Sequence, residues 1–442
     1  MIASLYQLYE KYPDISTDTR NILPQSIFFC LKGENFNGNT FARQALANGA
    51  AYVVSDDSAN LDLPNTIIVP NVLETLQQLA LYHRKQLAIP VIGITGTNGK
   101  TTTKELVNAV LSQHYKTACT KGNFNNHIGV PLTLLSIRSN DEIAVVEMGA
   151  NHAGEIAELC DLALPTAGIV TNIGKAHLEG FGSIEHIIET KTALYRSVLQ
   201  NNGQIFINID DPILTGYFET LGIFDANHGN PPSTPFSCYS QFNKEVVHGS
   251  VICQNPCLKI NLFGEKVNTN MTGAYNIYNI LSAVAVGIHF GITKTQIIHA
   301  LQSYIPDNNR SQVVAKNGMT LIADYYNANP TSMEAALRNL ASLEEAKKYA
   351  ILGDMLELGE SSPDEHKRVI ELCQELNIPT FFIGCEFAKH AGMNNFFFKN
   401  IEDFNRQIDM DRFRDATILV KGSRGLKLEL TNIVKYIADE KK

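Results

Sequence analysis

Seven residues, Thr95-Gly96-Thr97-Asn98-Gly99-Lys100-Thr101, join a short apolar strand over 91–95 to a stretch that reads as a helix over 102–112. Two glycines let backbone N–H groups close on oxygen atoms, and a helix N-terminus adds a dipole that favours an anion. The lysine supplies an ammonium for the β- and γ-phosphates, and the final threonine a hydroxyl within reach of Mg2+. The pattern points to ATP held by Thr95, Gly96, Thr97, Asn98, Gly99, Lys100, Thr101 and Thr102. The general phosphate-loop spacing puts a glycine six positions before the lysine, where this chain has Ile94. The loop is therefore a shorter Thr-Gly-x-x-Gly-Lys-Thr form.

A second apolar strand, over 142–147, ends in Glu147, and a third, over 167–171, is followed by His177. In a parallel sheet both fall at the strand ends beside the loop, where a carboxylate can hold a metal next to a nucleotide. The apolar neighbours of Glu147 argue against a plain surface charge. A lone histidine is as often structural as ligating, and the position of His177 on this edge favours a metal role. Lys191 lies in the helical run Glu189-Thr190-Lys191-Thr192-Ala193-Leu194-Tyr195. Taken by itself it reads as a solvent-facing helix lysine.

Positioning these groups requires strands that alternate with helices, which gives a mainly parallel sheet covered on both faces. Further strands are expected over 26–31, 51–55 and 66–70, then over 320–324, 349–352, 380–383 and 416–420. Helices are expected over 72–87 and 281–290. Turn residues cluster at Pro306-Asp307-Asn308-Asn309, and 442 residues exceed what one ordinary core organises. The expected class is α/β with three domains. A smaller N-terminal α/β domain covers 1–86, a central phosphate-loop domain with a parallel sheet covers 87–305, and a Rossmann-like C-terminal α/β domain covers 306–442.

The chain carries 36 basic and 45 acidic residues, a net charge of −9. That balance disfavours a nucleic-acid backbone as the main partner. Of eight cysteines, the nearest pair is Cys253 and Cys257, with no second pair close by. The spacing argues against zinc and for reduced thiols. Met1 to Tyr6 shows no basic segment followed by an apolar one, and the weakly polar run 281–292 is short of the ~20 residues of a membrane span. A cytoplasmic monomer without membrane insertion is expected.

Longer segments then make a family likeness specific. Residues 121–134 (KGNFNNHIGVPLTL), 147–152 (EMGANH), 324–333 (DYYNANPTSM), 353–359 (GDMLELG) and 421–424 (KGSR) occur in one order along the chain. With the phosphate loop, they resemble the Mur ligases, ATP-dependent enzymes that form amide bonds on cell-wall precursors. The resemblance implies that Lys100 and the loop amides bind ATP phosphates and that Thr101 with Glu147 holds one Mg2+. It makes His177 a ligand of a second Mg2+, and it reverses the reading of Lys191, which matches a lysine commonly carbamylated in the family. Asn276 and Asn279, three apart on one helix face, match contacts to the adenine region, although Tyr275 stands where the family more often has histidine. Arg310 and Asp324 match residues that meet the nucleotide from the C-terminal side, with Asn308-Asn309 replacing the usual Pro-Gly before the arginine.

Thr17, Asp18, Thr19 and Arg20, with Asn35 and Asn37, resemble the family's contacts to a UDP-linked precursor. Asn327, Ala328 and Asn329 form an Asn-Ala-Asn signature. Within the family it marks the branch whose substrates are UDP-N-acetylmuramoyl-tripeptide and D-alanyl-D-alanine. The Asp-Asn-Pro-Arg signature of the diaminopimelate-adding branch is absent from the sequence.

Overall fold

The computed structural model describes residues 1–222, 235–392 and 396–438. The described strands form three larger sheets and a small hairpin. The first sheet is parallel and has four short strands, Ile15–Ser16, Ile27–Phe29, Tyr52–Ser55 and Thr66–Ile68. The helix Val72–Gln86 follows, started by Asn71, whose side chain accepts from the Glu74 amide.

The second sheet has nine strands, and its centre is parallel. Val91–Thr95 lies between Ile143–Glu147 and Ala167–Val170, so all three strands end on the same edge. These strands are fully buried apolar runs, as a sheet covered on both faces requires. One face packs against the helices Lys100–Leu111 and Asn276–His289 through Leu106, Val110, Ile280 and Val284. The other packs against Ile184–Gln200, where Ile187, Leu194 and Val198 are buried. Beyond Phe236–Ser240 the sheet continues into an antiparallel arm, Val247–Cys253, Lys259–Leu262 and Glu265–Asn268. The third sheet is parallel except for its edge strand Gln312–Lys316, which pairs antiparallel with Met319–Asp324. Separate apolar clusters cover its two faces.

Most expected strands form within one or two residues of their expected bounds, and Val91–Thr95 and Thr380–Ile383 match them fully. Two helices begin earlier than the sequence suggests. One starts at Lys100 because Gly99, at φ 79°, turns the chain straight into it. The other starts at Asn276, so both asparagines belong to its first turn. No helix among the described residues is long and apolar enough to cross a membrane.

The first unit is bolted to the second through polar contacts as well as a shared core. Leu5, Tyr9, Leu76 and Leu79 belong to the same apolar cluster as Val130, Leu134 and Val146. Arg84 is buried and donates to the carbonyls of Ala163 and Leu164, at 2.8 and 3.0 Å. His83 is buried with Nε2 at 3.1 Å from the Ile137 carbonyl and Nδ1 at 3.1 Å from the Tyr6 hydroxyl. With Nε2–H donating to the carbonyl, Nδ1 accepts from tyrosine, so the neutral ring satisfies both partners. Burial holds its pKa below the ordinary 6.5.

Between the folded value and 6.5 the unfolded chain binds the extra proton, so this group's contribution is intact at neutral pH and is lost as pH falls. A His83→Gln variant should melt below the parent at pH 7.5. The gap should narrow below pH ~6.5, by at most about 1.4 kcal/mol per pH unit. Melting curves at pH 7.5 and 5.5 that keep a constant gap would refute this role.

Candidate functional site

The edge formed by the central strands opens on a cavity of about 930 Å³. Its lining includes Thr97, Asn98, Gly99, Lys100 and Thr102 of the loop, with Glu147, His177, Asn276 and Asn279 of the central unit. From the third unit come Arg310, Asp324, Tyr326, Asn327, Asn329 and Lys421. The cavity therefore gathers groups from either side of the boundary near residue 306.

The loop is held by close backbone packing. A Cβ on Gly96 would stand 1.9 Å from Thr171 Oγ1, and φ there is 144°, so only glycine fits. Thr171 and Asn172 bind the main chain of Asn98 from the next strand end. Lys100 folds back over its own loop, donating to the carbonyls of Gly96 at 2.8 Å and Thr97 at 3.0 Å. Desolvation lowers its pKa to about 8, opposed in part by the nearby Glu147 carboxylate. An anion beside Lys100 would restore the charge that burial disfavours.

Glu147 is 1% exposed. Its Oε1 accepts from Asn125 Nδ2 at 2.8 Å, while Oε2 is buried without a hydrogen-bond partner. Thr95 Oγ1 is likewise buried and unpartnered, and Thr101 is buried on the first turn of the following helix. A buried carboxylate oxygen left unanswered is costly, and a hard cation would answer it. Among the described residues no three His, Cys, Asp or Glu side chains cluster as a complete metal cage.

Lys191 corrects the solvent-facing reading. It is 2% exposed, on the same helix stripe as Ile187, Leu194 and Val198. Burial, and then the Lys100 ammonium, push its pKa well below the ordinary lysine value. Its Nζ lies 5.7 Å from the centre of the Phe181 ring, and the residue is not part of the cavity lining. A neutral amine in this setting can act as a nucleophile. The spacing 187, 191, 194, 198 was the available signal, because it puts a lysine on an apolar stripe.

His177 sits at φ 50° with Nδ1 2.6 Å from Oε2 of Glu357. It holds the Glu357 carboxyl below the usual carboxylate range. Glu357, itself at φ 66°, comes from the third unit and had no role in the sequence reading. Lys175 and Glu365 form a second cross-unit pair at 3.2 Å.

Asn276 and Asn279 are both buried. Asn279 accepts from Thr103 Oγ1 at 3.1 Å and donates to Asn276 Oδ1 at 2.8 Å, which locks this helix to the one after the loop. The Tyr275 hydroxyl pairs with Ser311 Oγ at 2.9 Å, so its polar end reaches the segment between the units. Arg310 stacks on Tyr326 with its guanidinium carbon 3.9 Å from the ring centre. Its Nε is buried without a partner. Asp324 accepts from Lys421 Nζ at 2.6 Å and from the Ser311 amide at 3.2 Å.

The remaining expected residues divide. Asn327 and Asn329 line the cavity, whereas the Ala328 methyl is packed into the third unit's core. Thr17, Asp18, Thr19, Arg20, Asn35 and Asn37 lie on the first unit and none of them lines the cavity. Arg20 holds the Asp18 carboxyl down to about 2, and Asp18 also caps the turn Thr19–Asn21. Asn37 caps a second turn through the Asn39 amide.

Residues 11–96 match the Mur ligase family catalytic domain, 94–287 the Mur ligase middle domain, and 309–424 the Mur ligase glutamate ligase domain. The chain is 35% identical to the UDP-N-acetylmuramoyl-tripeptide–D-alanyl-D-alanine ligase of Bacillus subtilis, covering 96% of this chain and 93% of that one. It is 33% identical to the ligase of the same name from Escherichia coli, covering 94% and 92%. A crystal structure of MurF from Acinetobacter baumannii superposes with a TM-score of 0.81 at 28% identity over 96% of both chains. MurF ligase from Thermotoga maritima in complex with ADP gives 0.79 at 25% identity, over 95% and 96%.

Replacing Lys100 separates binding from stability. Lys100→Met should weaken ADP binding at least tenfold, or ~1.4 kcal/mol. Because it removes a desolvated ammonium, it should not lower the melting temperature at pH 7. Calorimetric titration together with a melting curve checks both. Retained ADP affinity, or a clear fall in melting temperature, would contradict this account of the loop.

Proposed function

The chain belongs to the Mur ligase family, and we propose that it is the ATP-dependent ligase that joins D-alanyl-D-alanine to UDP-N-acetylmuramoyl-tripeptide. The product would be the UDP-linked pentapeptide used in peptidoglycan synthesis. The observation that carries this reading is the single cavity in which the phosphate loop and Glu147 meet Asn327 and Asn329 of the Asn-Ala-Asn signature. The curated relatives carry the same activity in their names.

In the proposed reaction an oxygen of the tripeptide's terminal carboxylate bonds to the γ-phosphorus of ATP, and ADP leaves. The free amine of D-alanyl-D-alanine then bonds to the acyl carbon, expels inorganic phosphate and gives up a proton. Lys100 and the loop amides hold the phosphoryl group, and Arg310 meets it from the third unit. Thr101 and Glu147 would hold one Mg2+, and His177 with a carbamylated Lys191 a second. Bound Mg2+ offsets the repulsion between the anions and the charge that develops on the transferred group. Carbamylation joins CO2 to the neutral Lys191 amine with loss of a proton, and it replaces an amine with a carboxylate-like ligand.

Residues 1–86, with Thr17 to Arg20, Asn35 and Asn37, form the UDP side in this scheme. Residues 87–305 form the ATP side, and 306–442 bring the acceptor. The substrates are small molecules, and in this scheme the ligase works as a cytoplasmic monomer.

A product-identified assay tests the substrates. Phosphate release should require the UDP-tripeptide and D-alanyl-D-alanine together, and equal use of L-glutamate or diaminopimelate would overturn the assignment. Lys191→Ala should lower kcat by at least about a hundredfold, ~2.7 kcal/mol, with no recovery in high bicarbonate. Full activity in that variant would remove Lys191 from the mechanism.

A further inference from the structure

Asn98 lies at the crown of the phosphate loop, and its main chain is fully engaged within the central unit. Its amide donates to Asn172 Oδ1 at 3.0 Å. Its carbonyl accepts from Thr171 Oγ1 at 2.6 Å and from Asn172 Nδ2 at 3.0 Å. The side chain is left to reach across to the third unit, where Asn329 Nδ2 donates to Asn98 Oδ1 at 2.8 Å and Asn98 Nδ2 donates weakly to Asn329 Oδ1 at 3.5 Å.

Asn329 has a second task. It caps the helix Pro330–Ser342, its Oδ1 accepting from the Ser332 amide at 2.8 Å while its own amide donates to Ser332 Oγ at 3.1 Å. This fixes the orientation of both side chains. Oδ1 of Asn329 must face the Ser332 N–H, so Nδ2 faces Asn98, and Asn98 must present its oxygen. The residue choice is informative. Ser, Thr and Asp cap a helix about as well as Asn, but only Asn caps through an oxygen and still carries an amide donor for the loop. The units also approach closely here, since a Cβ on Gly174 would stand 3.1 Å from Thr331 Oγ1.

We propose that the Asn98–Asn329 amide pair is a positioning contact that ties the phosphate loop to the acceptor-side helix, so that loop geometry and acceptor placement are set together. Neither amide need touch a reacting atom for this. The inference rests on the ligase reading for its kinetic arm only.

The test is a double-mutant cycle with Asn98→Ala, Asn329→Ser and the double variant. Serine keeps the cap, so Asn329→Ser should melt within about 2 °C of the parent, the shift expected of a few tenths of a kcal/mol. Each single variant should lose roughly ten- to a hundredfold, with the loss on kcat. The double variant should be no worse than either, as one shared contact requires. A second measurement needs only nucleotide. Spin labels on exposed sites of the central and third units should report, with ADP present, a smaller close-approach population in each variant than in the parent. Additive losses, unchanged kcat or unchanged distances would overturn the proposal. If the parent fails to ligate D-alanyl-D-alanine yet the distances respond, the substrate reading fails and the pair stands.

Discussion

Lys100 keeps a cationic group inside the protein, and the cost of desolvating it shapes the architecture around it. The Glu147 carboxylate opposes part of that cost, and the pKa of Lys100 is lowered to about 8. Holding the ammonium there demands a loop that cannot relax. Gly96 presses on Thr171, and Gly99 lies so near Asn279 that a Cβ would stand 2.5 Å from its side-chain oxygen. The first contact exists because the strands Val91–Thr95 and Ala167–Val170 run parallel in matched register and end together, and the second because the helix Asn276–His289 packs beside the one after the loop. The sheet fixes the edge, the edge fixes the loop, and the loop holds the lysine at the wall of the cavity.

The central unit supplies the glycine-rich loop and a buried carboxylate, and the rest of the cavity wall comes from the third unit. Arg310 on Tyr326 and the Asp324–Lys421 pair lie within the segment beyond residue 306, while Glu357 meets His177 and Glu365 meets Lys175 across the boundary. These two cross-boundary contacts are polar, whereas the first unit shares an apolar cluster with the second. Apolar burial makes a permanent joint, and polar pairs that can be exchanged for water make a reversible one. The two joints thus suit different duties. One gives an apolar platform, and the other is a polar seam.

Much of this was legible in the sequence because it is local. A strand, a glycine turn and a helix are neighbours along the chain, so residues 91–111 declare both their fold and their ligand class. Glu147 was legible for the same reason, as the last residue of an apolar run. What sequence reasoning missed depends on long-range packing. The burial of Lys191 is marked by its helix stripe, yet read from its own segment alone a single charge outweighs three apolar neighbours. Glu357 gave no signal, since its meeting with His177 joins positions 180 apart in different units. The antiparallel arm over 247–268 was unreadable as part of the central sheet, because its short alternating strands do not reveal which edge they extend. Ala328 was grouped with its polar neighbours by signature, yet its methyl is core.

The position of the first unit's polar turns bears on how such a ligase would use binding energy. Asp18, Arg20 and Asn37 secure turns on the first sheet, away from the cavity that holds the phosphate loop. A substrate bound at both places must be long, with a recognised head and a reactive tail. In UDP-N-acetylmuramoyl-tripeptide the nucleotide is at one end and the reacting carboxylate at the other. Anchoring the head far from the chemistry leaves the tail few ways to lie, and this converts remote binding into orientation at the γ-phosphate. It works only if the platform between anchor and loop is rigid. The buried Arg84 contacts and the shared apolar cluster supply that rigidity.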